Sequence, residues 1–445
     1  MYKHIYFIGI GGIGMSAIAR YYNAKGFKVS GYDKTPSPLT EALEKEGIEV
    51  HYEDNIDFVP KDVKDTLVVY TPAVPKDMGE LVFVQKNGYR VIKRSQMLGE
   101  ITRGQRCMAV AGTHGKTTTS TLTSHLFTAS GEGCSAFLGG ISKNYDSNLL
   151  TDANDVVVAE ADEFDRSFLQ LFPEIAVITS MDAYHLDIYG DEAHIREAFK
   201  AFASQVSGTV IAKYGLDITS DDTKAEIKTY SFGNPEADFY ALMREEAGHF
   251  DLHYPGGVIE DCVVGIPGWV NIENGVAAAA IALTYGLDPQ EIRKALASFS
   301  GVKRRFDLQV KTPGIVYIDD YAHHPEEISA ALSSIRKAYP SMKLTAAFQP
   351  HLYTRTRDFA EEFAKALSSV DKLILLDIYP AREEPIPGVT SEIIFKDVTA
   401  PEKVLLKRDE FMEYIEKEDI ELLVTLGAGD IDRFVSPIAK MLSER

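Results

Sequence analysis

The stretch Cys107-Met-Ala-Val-Ala111-Gly112-Thr113-His114-Gly115-Lys116-Thr117-Thr118-Thr119 decides how the chain is read. An apolar run of strand length delivers the backbone into a glycine-bearing turn, and a helical pattern follows from Lys116 to Ala129. In that context backbone N–H groups at the helix start can wrap phosphate oxygens, a lysine can reach the outer phosphates, and a threonine hydroxyl can hold a divalent cation. The spacing is shorter than in most phosphate loops, because Val110 and not glycine stands five residues before Gly115. A simple glycine turn capping a helix explains the glycines but not the lysine followed by three threonines. The expected ligand is ATP with magnesium, contacted by Gly112, Thr113, His114, Gly115, Lys116, Thr117 and Thr118.

Outward from this segment, apolar runs alternate with helix-period segments along all 445 residues, the pattern of parallel sheets wrapped by helices. Strands are expected at Tyr2 to Ile10, Phe27 to Gly31, Thr66 to Thr71 and Arg90 to Lys93. A second cycle adds Cys107 to Ala111, Asp155 to Ala159 and Ile175 to Ile178, with an alanine-rich helix from Gly275 to Tyr285. A third runs through Ile315 to Ile318, Leu344 to Phe348, Lys372 to Leu376 and Leu422 to Leu426. The fold class is therefore α/β in three domains, over residues 1–104, 105–306 and 307–445. The length supports this, since one hydrophobic core seldom serves more than about 250–300 residues.

Composition narrows the partners. A formal net charge of −20 speaks against nucleic acid or an anionic membrane surface, both of which call for clustered Lys and Arg. Three scattered cysteines, Cys107, Cys134 and Cys262, form no disulfide or zinc framework. No apolar stretch approaches the ~20 residues of a membrane span, and the N-terminus runs straight into a strand. A cytoplasmic protein acting on small molecules, as monomer or homodimer, is expected.

Two further motifs lie where open α/β sheets place ligands. Val156-Val-Val-Ala159 leads into Glu160-Ala-Asp162-Glu163, and Glu160 suits a metal ligand. The next strand feeds Asp182-Ala-Tyr-His185-Leu-Asp187, where His185 could join Thr117 and Glu160 around a divalent ion, although a lone histidine is as often structural. Near the N-terminus, Gly9-Ile-Gly11-Gly12-Ile-Gly14 with Asp33 after the next strand has the form of a dinucleotide site. Alone it points to a nicotinamide-dependent oxidoreductase. Two phosphate loops in one chain mean either a cofactor plus ATP or a nucleotide-linked substrate plus ATP.

The phosphate loop, Glu160-Ala-Asp-Glu163, Asn271-Ile-Glu-Asn274, Gly301-Val-Lys-Arg-Arg-Phe306 and Asp319-Asp-Tyr-Ala-His-His-Pro325 together resemble the Mur ligases of peptidoglycan synthesis, in the right order over nearly the whole chain. The resemblance implies an ATP-dependent ligase that joins L-alanine to the lactyl carboxylate of UDP-N-acetylmuramate through an acyl phosphate, with magnesium, or manganese in its place. A near alternative within the family attaches a murein tripeptide to the same UDP-sugar. The resemblance also implies the kind of each domain: N-terminal Rossmann-like, central phosphate-loop ATPase-type α/β and C-terminal Rossmann-like α/β.

By the same resemblance the first glycine loop cradles the UDP-sugar, through Gly11, Gly12, Gly14, Asp33, Thr71, Pro72, Ala73 and also His114. Asn271 and Asn274 are implied as ATP contacts near the base, Arg305 as a positive charge at the γ-phosphate, and Asp320 as a residue closing the third domain over ATP. His351, Arg355 and Arg382 fall in segments that resemble the amino-acid site. The implied catalytic set is Lys116, Glu160, His185, Arg305 and Asp320. Val270 and Tyr184 depart from the family pattern, where many relatives carry His and Asp.

Overall fold

Successive residues of a strand face opposite sides of its sheet, and the N-terminal strand β1 (His4–Ile8) sorts its side chains accordingly. Ile5 and Phe7 join one apolar cluster, Tyr6 and Ile8 another, so both faces are covered. Burial on both faces is what a parallel sheet requires. The computed structural model describes residues 2–182, 192–381 and 383–445. Among these, β1 lies at the centre of a five-stranded parallel sheet with β2 (Lys28–Tyr32), β3 (Glu49–His51), β4 (Thr66–Tyr70) and β5 (Arg90–Lys93), in the order β3-β2-β1-β4-β5.

The second sheet has ten strands. Its parallel heart is β6 (Arg106–Ala111), β9 (Val156–Ala161), β10 (Ile175–Ile178) and β11 (Thr209–Lys213), with β10 and β9 on either side of β6. On one flank come β7 (Ser135–Ser142) and its antiparallel partner β8 (Ser147–Leu150). On the other, β12 (Glu226–Phe232) and β13 (Phe239–Met243) lead to the antiparallel β14 (Phe250–Tyr254) and β15 (Gly257–Cys262). Residues Met1–Ile266 and Asn271–Ser300 make one compact unit. One apolar cluster runs continuously through it, from Ile5 and Phe7 to Phe137, Phe168 and Val210.

Residues Pro267–Val270 and Gly301–Arg445 make a second unit. Its six-stranded sheet takes the order β16-β17-β21-β18-β19-β20, from β16 (Asp307–Lys311), β17 (Val316–Asp320), β18 (Leu344–Phe348), β19 (Lys372–Leu376), β20 (Glu402–Leu406) and β21 (Leu422–Leu426). All pairings are parallel except β16 with β17. Alternation again splits the core: Ile318, Ala346 and Phe348 face one cluster, Tyr317, Ala347 and Ile374 the other.

Most expected elements stand within one or two residues of their expected ends. The alanine-rich helix differs: it begins at Trp269, not Gly275, so Asn271 and Asn274 sit inside its first turns and do not cap it. Strands β3, β7, β8, β11 to β16 and β20 do not follow from the sequence patterns above.

Candidate functional site: two glycine loops and an acidic strand end

The helix Lys116–Ala129 is rich in Ser and Thr yet almost wholly buried. Its hydroxyls satisfy themselves on the preceding turn: Thr121 donates to the Thr117 carbonyl at 2.7 Å, Thr123 to Thr119 at 2.8 Å, and Ser124 to Thr121 at 2.8 Å. This lets a polar segment dock against the sheet and aim its N-terminus at the loop. Two glycines make the turn. Gly115 is left-handed at φ +80°, and Gly112 has φ +138°, with Thr179 Oγ1 standing 2.0 Å from where a β-carbon would go. Thr179 donates to the carbonyls of Ala111 and His114, while Ser180 Oγ accepts from His114 N at 2.9 Å and bonds Thr113 Oγ1 at 2.8 Å. The end of β10 thus fixes the loop.

Lys116 Nζ donates to the Gly112 carbonyl and to Glu163 Oε2, both at 2.7 Å. Burial works against its charge, but the carboxylates of Glu163, Asp162 and Glu160 more than offset this and hold its pKa above the ordinary lysine value. Glu160 is the fifth residue of β9. Its Oε1 accepts from Thr117 Oγ1 at 3.2 Å, and its Oε2 from Ser120 Oγ at 3.5 Å and the Gly139 amide at 3.1 Å. A hydroxyl and a carboxylate side by side beneath a phosphate loop are hard oxygen donors, the chemistry that suits magnesium. Among the described residues no group of three or more His, Cys, Asp or Glu gathers as a metal cluster. His185 lies outside the described residues.

Asn274 is brought to the loop itself: Oδ1 accepts from Thr119 Oγ1 at 3.3 Å and stands 2.9 Å from the β-carbon position of Gly115. Asn271, one turn earlier, is also buried.

At the first glycine loop, Gly9 is left-handed at φ +88° and has Thr71 Cγ2 2.7 Å from its β-carbon position, which places Thr71 beside the loop. Pro72 and Ala73 continue from Thr71 after β4. Gly12 caps the helix Ile13–Ala24 with no side-chain bond to its amides and no acid in its first turn, which leaves a positive end for a phosphate. Asp33 Oδ2 accepts from the Gly11 amide at 2.7 Å and braces the loop.

In the second unit, Asp320 ends β17, buried. Its oxygens accept from the Phe306 and Ala322 amides at 2.7 and 2.8 Å, and burial raises its pKa against the pull of Arg305. Neighbouring Asp319 is pushed up to about 6 by burial although Arg304 lies against it. Arg305 sits over the Tyr321 ring at 5.2 Å. His351 stacks on Tyr379 and meets His323 edge-on, with ring centres 5.8 and 6.0 Å apart. Among the described residues Arg355 Nη1 is buried without a hydrogen-bond acceptor. Arg382 lies outside the described residues.

No motif marks Thr179, Ser180 or Gly139, because each reaches the loop or Glu160 from a separate segment, and Ser120, one residue past the quoted threonines, shows its role only when Glu160 is packed against it. Glu163 stood in a quoted motif, yet its pairing with Lys116 needed the fold.

Three family models match successive parts of the chain. Residues 4–106 match the Mur ligase family, catalytic domain; residues 110–282 the Mur ligase middle domain; and residues 304–430 the Mur ligase, glutamate ligase domain. The chain is 51% identical over 451 residues to a UDP-N-acetylmuramate–L-alanine ligase of Porphyromonas gingivalis, covering 99% of each chain. It is 52% identical to a protein of the same name from Parabacteroides distasonis, covering 99% of this chain and 97% of the relative. Among solved structures, the UDP-N-acetylmuramate–alanine ligase of Thermotoga maritima superposes with a TM-score of 0.84 at 26% identity, over 99% of both chains. A murein peptide ligase of Psychrobacter arcticus, 22% identical with a TM-score of 0.74 over 100% of this chain and 99% of its own, shares the fold. With all three parts matched in order and full-length relatives at half identity, this chain belongs to the Mur ligase family.

Proposed function

We propose that this enzyme uses ATP to join L-alanine to the lactyl carboxylate of UDP-N-acetylmuramate, a step in peptidoglycan precursor synthesis. The observation that carries the reading is the phosphate loop with Lys116 clasped by Glu163 and Thr117 beside Glu160, in a chain half identical over its full length to ligases of that name. A carboxylate is a poor electrophile. Attack of one of its oxygens on the γ-phosphorus of ATP releases ADP and leaves an acyl phosphate. The amine of L-alanine then adds to the carbonyl carbon, phosphate leaves with the C–O bond electrons, and the nitrogen loses a proton.

Within this scheme Lys116 and the amides at the start of its helix balance the charge of the transferring phosphoryl group, mostly by positioning and electrostatics. Thr117 and Glu160, with His185, are the residues we assign to hold magnesium, which when bound neutralises charge across the phosphates. Gly11, Gly12, Gly14 and Thr71 to Ala73 cradle the UDP-sugar, with Asp33 bracing the loop. Asn271 and Asn274 serve ATP, Asn274 at the loop. In the C-terminal part, Arg305 supplies positive charge for the γ-phosphate, while His351 and Arg355, with Arg382, receive the amino acid. The buried Arg355 Nη1 supports that role, being a donor suited to a carboxylate. We take the domain boundaries as 104/105 and 306/307.

The test is phosphate release from ATP with UDP-N-acetylmuramate across a panel of amino acids and the murein tripeptide. Turnover with L-alanine is expected. Turnover with the tripeptide and none with L-alanine would replace this reading with the tripeptide ligase, and NADH binding without affinity for UDP-sugars would restore the oxidoreductase.

A further inference from the structure

The first glycine loop has a cation beside it that no motif marks. Arg94 opens the helix Arg94–Thr102 at the end of β5. Its guanidinium lies against Gly14, with Nη1 2.8 Å and Cζ 3.5 Å from the place a β-carbon would take. Its charged partner among the described residues is Asp162, in the acidic segment after β9, with Nη2 to Oδ2 at 3.6 Å. That is well beyond the ~2.7–2.9 Å of a strong charge-assisted bond. The Arg94 side chain is only 23% exposed, so a charge largely withdrawn from water is met by one distant carboxylate.

The surroundings add positive potential. Neither the helix Ile13–Ala24 nor the helix Arg94–Thr102 carries an acid in its first turn, and a cation at a helix start is disfavoured by the dipole. Asp33 is turned to the Gly11 amide. Asp162 meanwhile has one oxygen, Oδ1, accepting from the Phe164 amide at 3.1 Å, leaving Oδ2 toward Arg94. A planar guanidinium beside the third glycine of a phosphate cradle matches a diphosphate better than it matches this carboxylate.

We propose that Arg94 binds the diphosphate of the UDP-linked substrate at the Gly11–Gly14 loop, with Asp162 as the competing partner for the same guanidinium. This rests on the reading of that loop as the UDP-sugar cradle. Substrate binding then draws Arg94 from Asp162, a carboxylate whose charge reaches Lys116 and Glu163. The two nucleotide loops thereby share one electrostatic link.

The experiment compares UDP, by titration calorimetry, with uridine, by ligand-observed NMR, on the full-length enzyme without ATP. Arg94→Ala is expected to weaken UDP by about 10- to 100-fold and to leave uridine within about twofold, as loss of a charged hydrogen bond to phosphate predicts. Arg94→Lys should recover part of the affinity, and Asp162→Asn should tighten UDP by removing the competitor. UDP binding unchanged in Arg94→Ala, or uridine and UDP weakened alike, overturns the proposal and leaves Arg94 structural. No tightening in Asp162→Asn overturns the competition. A wild-type enzyme that binds neither UDP nor the UDP-sugar instead overturns the reading of the loop, a result separate from either variant.

Discussion

Lys116 is the residue we assign to the transferring phosphoryl group, and its state is set by a carboxylate that is itself out of water. Glu163 is nearly unexposed and bonds Nζ at 2.7 Å. Its charge is the largest of the influences that raise the Lys116 pKa against desolvation. Removing that charge in Glu163→Gln lets desolvation act with less opposition, so Lys116 loses its proton at lower pH than in the wild type. If the cationic form is the one that steadies the phosphoryl group, the alkaline limb of kcat moves down in pH. A pH–rate profile of the two enzymes checks this, and coincident alkaline limbs would remove Lys116 protonation from the account. At this scale the sequence was partly legible. Lys116, Thr117 and Glu160 could be found because their spacing on one strand–loop–helix and one strand end carries the chemistry. Gly139, Thr179, Ser180 and Arg94 could not, since each meets the site from a segment far along the chain and shows no spacing of its own.

Among elements, the loop between β6 and the helix Lys116–Ala129 is the least tolerant of change. Gly112→Ala would put a β-carbon 2.0 Å from Thr179 Oγ1 and 2.9 Å from the Ser180 amide, at φ +138°. Gly131, at φ +87°, has nothing within 4 Å of the same position. Gly131→Ala should therefore cost about 1 kcal/mol of backbone strain with activity intact. Gly112→Ala should lower ATP-dependent phosphate release by tenfold or more, because the loop and the end of β10 cannot both keep their places. The same helix carries a pH-sensitive knot. Buried His125 bonds the Tyr145 hydroxyl at 2.8 Å and Ser298 Oγ at 2.9 Å, and desolvation depresses its pKa. A depressed histidine contributes stability that is present above the unfolded pKa of ~6.5 and is lost as pH falls through the folded value. Stability against thermal unfolding should weaken from pH 7 downward by at most about 1.4 kcal/mol per pH unit from this group, and His125→Gln should flatten that part of the curve. The elements themselves were readable where burial on both faces writes a continuous apolar run, as in Leu344–Phe348 and Lys372–Leu376. Strands such as Glu226–Phe232, which mix Lys, Thr and Ser with apolar residues and are only partly buried, gave no such run. The helix from Trp269 is hard to extend from sequence because Asn271, Glu273 and Asn274 look like loop and cap residues until the fold brings Thr119 to Asn274 and Lys213 to Glu273.

At the scale of the whole molecule, a ligase with separate binding regions depends on the chain that joins them, and here the joining segment is held in an unusual backbone. Between Ser300, the last residue of one unit, and β16 of the other, Arg304 and Phe306 both adopt left-handed φ, +63° and +44°, which non-glycine residues rarely do. The compensation is specific. Asp320 takes the Phe306 amide on one oxygen and the Ala322 amide on the other, and Arg304 reaches Asp319 and the Gly427 carbonyl. Asp320→Asn presents an NH2 group to one of two buried amide donors, so one N–H loses its acceptor at a cost of about 1–3 kcal/mol. The linker strain is then no longer offset. Since the nucleotide loop lies in the other unit and keeps its own bonds, ATP affinity should stay within about twofold of wild type. The rate of amide formation, for which the proposed scheme draws residues from both parts of the chain, should fall by roughly tenfold or more. Equilibrium binding of an ATP analogue beside steady-state kcat separates the two quantities. A large loss of ATP affinity with kcat per bound ATP preserved would mean that Asp320 acts on the nucleotide directly and not through the linker.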